Sequence, residues 1–144
     1  MNTRPALPGD RALIARLLGT SAIDAAGNHI VFAEDPDGSS SVIAVWHSPP
    51  DGGIAELGAV VTIGRQRRDL FYQAILQTCE DAIAAGHTEA HFTIRDSRLV
   101  ARIKHDFNEI PEAYGRNVMT GKPNFWQLTV NLQNAATKLR NVLQ

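Results

Sequence analysis

Between Ile54 and Ile94 the hydrophobic period of the chain changes twice, and that switch limits the folds open to it. Ile54 to Ile63 is rich in Val and Ala and suits a strand near the middle of a sheet. From Asp69 to Ala85 the apolar residues Phe71, Ala74, Ile75, Ala82 and Ile83, together with Thr78, return at the helical spacing. Asp69 suits the N-terminus of that helix and Gly86 the position just past its end. Thr88 to Ile94 then alternates, with Ala90, Phe92 and Ile94 on one face and Glu89, His91 and Thr93 on the other. Such a succession requires a sheet with helices covering it.

The flanking segments fit the same plan. Thr3 to Ala6 reads as a short strand, Pro8-Gly9 as a turn, and Leu13, Ile14, Leu17 and Leu18 as the buried face of a helix capped by Asp10. After a loop at Ala25 to Asn28, His29–Glu34 and Ser41–Trp46 surround Asp35-Pro36-Asp37-Gly38, the pattern of an antiparallel hairpin. Two prolines in Ser48-Pro49-Pro50-Asp51-Gly52-Gly53 end it. A helix follows Asp96 with Leu99, Val100 and Ile103 inward. Gly115 and Gly121-Lys122-Pro123 mark turns around a short strand, and Phe125 to Leu132 is the last strand. Asn134 to Leu143 has helical spacing and either closes this domain or docks on a second copy. The expected fold is α/β (α+β): a mixed central sheet of about six to seven strands flanked by helices, with an additional C-terminal helix.

Composition narrows the function classes. The 144 residues suit one domain, 1–144, with 134–144 as a helical tail, and 44% hydrophobic against 20% charged residues excludes disorder. Fourteen basic and 15 acidic side chains leave a charge of -1, so no overall positive field draws nucleic acid or a membrane, and aromatics at 6% offer few stacking platforms. Recognition of phosphate must be local. Cys79 has no intramolecular partner and falls beside the apolar face of the long helix, as a buried thiol in a reducing compartment would. The N-terminus has no secretory pattern and no run nears the length of a membrane span, so a cytoplasmic location is expected. With no HExxH, CxxC or spaced carboxylate cluster, no metal is expected.

Two stretches carry a resemblance to a known family. Arg4-Pro5-Ala6 with Pro8-Gly9-Asp10 and a Leu/Ile helix, and Ala55 to Ile63 leading through Gly64 to Arg68 into the long helix, resemble the GNAT family of acyl-CoA-dependent N-acetyltransferases. The resemblance covers Arg4 to about Val130. It implies that acetyl-CoA or a related acyl-CoA lies between the central strand and the helix beginning near Asp69, contacted by Val60, Val61, Thr62, Arg67, Arg68, Asp69, Leu70, Phe71, Tyr72 and Ser97. In the family the turn into this helix reads Q/R-x-x-G-x-G/A, and its backbone N–H groups hold the pyrophosphate. Here Arg67 takes the first position, while Arg68, Leu70 and Tyr72 stand where glycines are typical. Side chains there hold the backbone away from phosphates. The family's second motif, Asn-x-x-Ala followed by Tyr and Gly-Phe, is overlaid by Ser97, Val100, Ile103 and Phe107 with a small deletion. Lys104 or His105 then stands near the acid tyrosine and Asp106 replaces the glycine. Compact size and a turn without glycine look like the short, divergent GNAT-like proteins of tailed phages.

The chemistry implied is direct attack of an amine on the thioester, which needs a base, an acid and a cofactor groove. Glu56 falls where many family members place a base, and otherwise reads as a solvent-facing strand carboxylate. Tyr114 is the remaining phenol for an acid, or else a packing residue beside Gly115. His91 and His105 can titrate near neutrality, although single histidines in such settings are usually structural. Arg65, Arg67 and Arg68 crowd a helix start that disfavours cations, which implies either a phosphate among them or three side chains in solvent. The expected function is an N-acetyltransferase acting on a small-molecule or protein amine, with a homodimer open. Its rival is a GNAT scaffold that has lost the chemistry and serves a binding, structural or host-takeover role.

Overall fold

In the computed structural model, which describes Thr3 to Gln144 with the Ala59 side chain set aside, seven strands form one mixed sheet. They are β1 (Thr3–Pro5), β2 (Asn28–Glu34), β3 (Ser40–His47), β4 (Ala55–Gly64), β5 (Glu89–Ile94), β6 (Glu112–Tyr114) and β7 (Phe125–Asn131). Their order across the sheet is β1-β2-β3-β4-β5-β7-β6. Helices α1 (Arg11–Leu18), α2 (Ser21–Asp24), α3 (Arg68–Ala84), α4 (Ser97–Phe107) and α5 (Leu132–Leu143) cover the two faces. The run rich in Val and Ala, β4, takes the central place.

Every neighbouring pair is antiparallel except β4 and β5, which run parallel because α3 carries the chain across between them. That parallel pairing is short. Ala55, Glu56 and Leu57 pair with Ala90, His91 and Phe92, and there the ladder stops, although β4 continues for seven more residues. On its other edge β4 shifts register against β3: Trp46 opposes Leu57 and Ala44 opposes Val60, so Gly58 and Ala59 together face Val45. A bulge of this kind bends the strand and reverses which face later residues present. Ala55 and Leu57 point toward α3, and Val60 does so too.

One face of the sheet packs against α3, α4 and α5 around Trp46, Leu57, Tyr72, Leu76, Phe92, Ile103 and Leu132. The other holds α1 and α2 through Ile14, Phe32 and Ile43. Gly64 ends β4 with φ +79°, and a Cβ there would lie 2.3 Å from the Ser39 carbonyl oxygen, so only glycine fits this turn toward α3.

Four expectations are corrected. Asp10 precedes α1 without capping it; its carboxylate accepts from the Leu7 N–H and pairs with Arg4. A short helix, α2, stands ahead of the expected loop, where Ser21–Asp24 is too short to show a period. The outer strand lies before Gly115, and the segment between the two glycine turns is irregular, closed by Asn117 accepting from the Met119 and Thr120 N–H groups. Leu132 opens α5, capped by the Asn131 side chain accepting from the Asn134 N–H. That helix packs on α3 of its own domain, burying Leu132, Ala136 and Leu139.

Candidate active site

Where β4 and β5 part, a cleft of about 820 Å3 opens through the sheet. Its walls are Glu56, Gly58, Val60 and Thr62 of β4 and Phe92, Thr93 and Ile94 of β5. Among the described residues the β4 backbone beyond Leu57 has no ladder partner on this side, so its N–H and C=O groups are free to bond a ligand. Toward α3 and α4 the rim carries Gln66, Arg67, Phe71, Arg95, Asp96, Arg98, Leu99 and Arg102. On the opposite face the cleft reaches Glu56 and Leu18 at the end of α1.

The residues expected to hold the cofactor divide into three groups. Val60, Thr62, Arg67 and Phe71 line the cleft. Val61 belongs to the same strand stretch but pairs with Ile43 and points to the α1 face, leaving only its backbone toward the site. Arg68, Asp69, Leu70, Tyr72 and Ser97 are not among the lining residues: Leu70 and Tyr72 are buried in the core, and Ser97 is the exposed first residue of α4.

The arginines at the start of α3 are taken up by carboxylates of the chain itself. Arg67 is ion-paired with both Asp35, from the β2–β3 hairpin, and Asp69. Arg68 lies 3.4 Å from Asp106 near the end of α4, and Asp106 also accepts from the Tyr72 hydroxyl and from His105. Arg65 stays in solvent. Neither alternative posed for this cluster is the whole answer.

Glu56 is exposed at the cleft, beside His91 in the ladder. Tyr114 is placed differently. It lies on β6 at the far edge of the sheet, stacked on Phe125 with its hydroxyl donating to Glu112, and is not a lining residue of the cleft. The position beside Gly115 is an edge strand, and two strands separate it from β4. Cys79 is buried on α3, where desolvation pushes its thiol up to about 12, the state of an inert structural cysteine.

No protein-family model matches the chain, and no curated protein matches it in sequence. Solved structures do. A GNAT-family protein from Desulfovibrio desulfuricans superposes with TM-score 0.61 at 16% identity, covering 90% of this chain and 98% of that one. The F149A mutant of spermidine N-acetyltransferase SpeG from Vibrio cholerae gives TM-score 0.64 at 10% identity over 94% and 97%. The Salmonella typhimurium protein yncA, solved with acetyl-CoA, gives 0.58 at 14% over 92% and 94%. The chain has the GNAT fold.

Within this GNAT fold, the residues missed by sequence reading are Arg95, Arg98 and Arg102, all on the cleft rim. Their signal was present in the spacing: Arg98 and Arg102 are four apart on α4 and so share a face. Asp96 caps that helix, accepting from the Arg98 N–H at 2.8 Å.

Asp106 makes the acid behaviour of this chain testable. Burial works against its charge, but the hydrogen bonds from Tyr72 and His105 and the nearby Arg68 outweigh it and hold the carboxyl below the usual carboxylate range. A lowered folded-state pKa gives stability that is present above the unfolded value, about 4, and lost as pH falls through the folded one. Asp106→Asn is expected to lower the melting temperature at pH 7 and to converge on the wild type as pH falls below the ordinary carboxylate range. Parallel melting curves across that range would refute the assignment.

Proposed function

We propose that this chain is an acyl-CoA-dependent N-acetyltransferase, with the acyl donor entering the cleft from the α3–α4 side and an amine from the α1 side. The observation that carries the reading is the through-going cleft itself, with free β4 backbone on one wall and a carboxylate at one mouth. The cleft suits the donor: unpaired backbone groups from Gly58 to Gly64 match the amides of a pantetheine arm, and arginines line the phosphate end.

In the proposed reaction Glu56 takes a proton from the amine, directly or through water. The amine lone pair attacks the thioester carbonyl carbon, forming the C–N bond; the nitrogen of the tetrahedral intermediate gives up its extra proton to solvent, the intermediate collapses and the C–S bond breaks. CoA departs as a thiolate and collects a proton from solvent, so no phenol is needed and Tyr114 is given no part. Val60 to Thr62 orient the arm. Spermidine and aminoglycosides, acted on by structural neighbours named for those substrates, make amines the class to try first.

Titration calorimetry with acetyl-CoA and turnover of an amine panel including polyamines and aminoglycosides test the reading. Acetyl-CoA is expected to bind, and Glu56→Gln to lower kcat about 100-fold or more while leaving acetyl-CoA affinity unchanged. Absence of acetyl-CoA binding at millimolar concentration ends the proposal. Binding without turnover on any amine would favour the rival, a scaffold that keeps the groove for a binding role.

A further inference from the structure

The turn into α3 is poorly equipped to hold phosphates. Its two motif glycine positions carry the core residues Leu70 and Tyr72, and its arginines Arg67 and Arg68 already face Asp35, Asp69 and Asp106. Across the same cleft the balance is opposite. From Arg95 to Arg102 three arginines stand on the rim against one carboxylate, Asp96. Arg98 reaches Asp96 at 3.3 Å with 85% of its side chain exposed, and among the described residues Arg95 and Arg102 form no ion pair. Cations gathered at the first turns of a helix oppose its dipole and one another, and Arg98 and Arg102 are like charges at neighbouring positions. A bound anion reverses that penalty.

We propose that the phosphates of the acyl donor are anchored by Arg95, Arg98 and Arg102 at the β5–α4 junction, and not by the turn into α3. The inference rests on the acyl-CoA reading above and adds which wall of the cleft carries the phosphate end. It turns the missing glycines from a lost site into a relocated one: with side-chain guanidiniums supplying the donors, close approach of backbone is no longer required. Arg67 and Arg68, in turn, brace α3 against the hairpin and α4.

Calorimetry on three forms of the full chain separates the possibilities. The double substitution Arg95→Ala with Arg102→Ala is expected to weaken acetyl-CoA binding roughly tenfold or more and to flatten its dependence on salt. Arg68→Ala is expected to cost less than about threefold. S-acetylpantetheine, which lacks every phosphate, is expected to bind the wild type and the double variant equally. Because these arginines are exposed, melting temperatures should confirm that each variant folds, and Arg102→Glu supplies a second, charge-reversed probe expected to lose more affinity than alanine. If the wild type binds acetyl-CoA and the α4 variants bind it unchanged, or if Arg68→Ala loses as much as they do, the relocation is overturned while the acyl-CoA reading stands. If the wild type binds neither acetyl-CoA nor S-acetylpantetheine, both are overturned.

Discussion

Gly58→Trp is expected to keep the stability of the wild-type protein and to abolish acyl-CoA binding, raising Kd more than about 100-fold. The reason lies in the bulge. Gly58 is one of the two β4 residues opposing Val45, at the point where the ladder to β5 has just ended. A Cβ added there meets nothing within 4 Å, and the residue has none of the positive φ that would strain a side chain. An indole at this position therefore grows into the cleft instead of into the core. Replacing glycine at a compatible backbone position also restricts the unfolded chain, a stabilisation of about 0.4–1 kcal/mol. Gly58→Ala should share the stabilisation and retain most of the binding. Calorimetry with acetyl-CoA beside thermal melts reads both effects, and a tryptophan variant that binds like the wild type would show that the donor does not pass this point.

Regular elements were legible because their periods were long and clean. Seventeen residues of α3, and β2 and β3 around an Asp-Pro-Asp-Gly turn, announce themselves through spacing alone. What spacing could not convey is parity across a defect. Read as uninterrupted alternation, β4 would put Leu57 and Val60 on opposite faces; the bulge at Gly58 and Ala59 puts both toward α3. The cleft exists because of that defect and because the parallel ladder stops after Leu57, and neither leaves a mark on hydrophobic periodicity.

Charge pairing was hidden for a related reason. Arg67 meets Asp35 across 32 positions and Arg68 meets Asp106 across 38, so a cluster that looked unpaired along the chain is neutralised in space. Arg95, Arg98 and Arg102, more widely spread in sequence, converge on the cleft because a strand end and a helix face meet there. Glu56 was named as a candidate from the resemblance, not from its surroundings, since an exposed carboxylate on a strand has no local signature.

The largest expected loss of stability comes from Trp46, which supports the site from beneath. Its side chain is 2% exposed on β3, opposite Leu57 and beside the bulge, with the His29 ring stacked at 4.2 Å and the His87 ring edge-on at 6.1 Å. Trp46→Ala should cost about 3–5 kcal/mol, since the lost contacts are joined by a cavity that a sheet centre cannot collapse. With a shift of roughly 2–5 °C per kcal/mol at this chain length, the melting temperature should fall by about 10–20 °C. Trp46→Phe should cost far less, about 1–2 kcal/mol, because it keeps most of the buried ring and leaves a smaller cavity. Among the described residues the indole Nε1 is buried without a hydrogen-bond partner, and an orphaned donor carries a penalty of about 1–3 kcal/mol that both substitutions remove, offsetting part of either cost. Denaturant unfolding followed by circular dichroism measures both variants. Equal costs for the two would mean that packing of the ring does not set the stability of this part of the sheet.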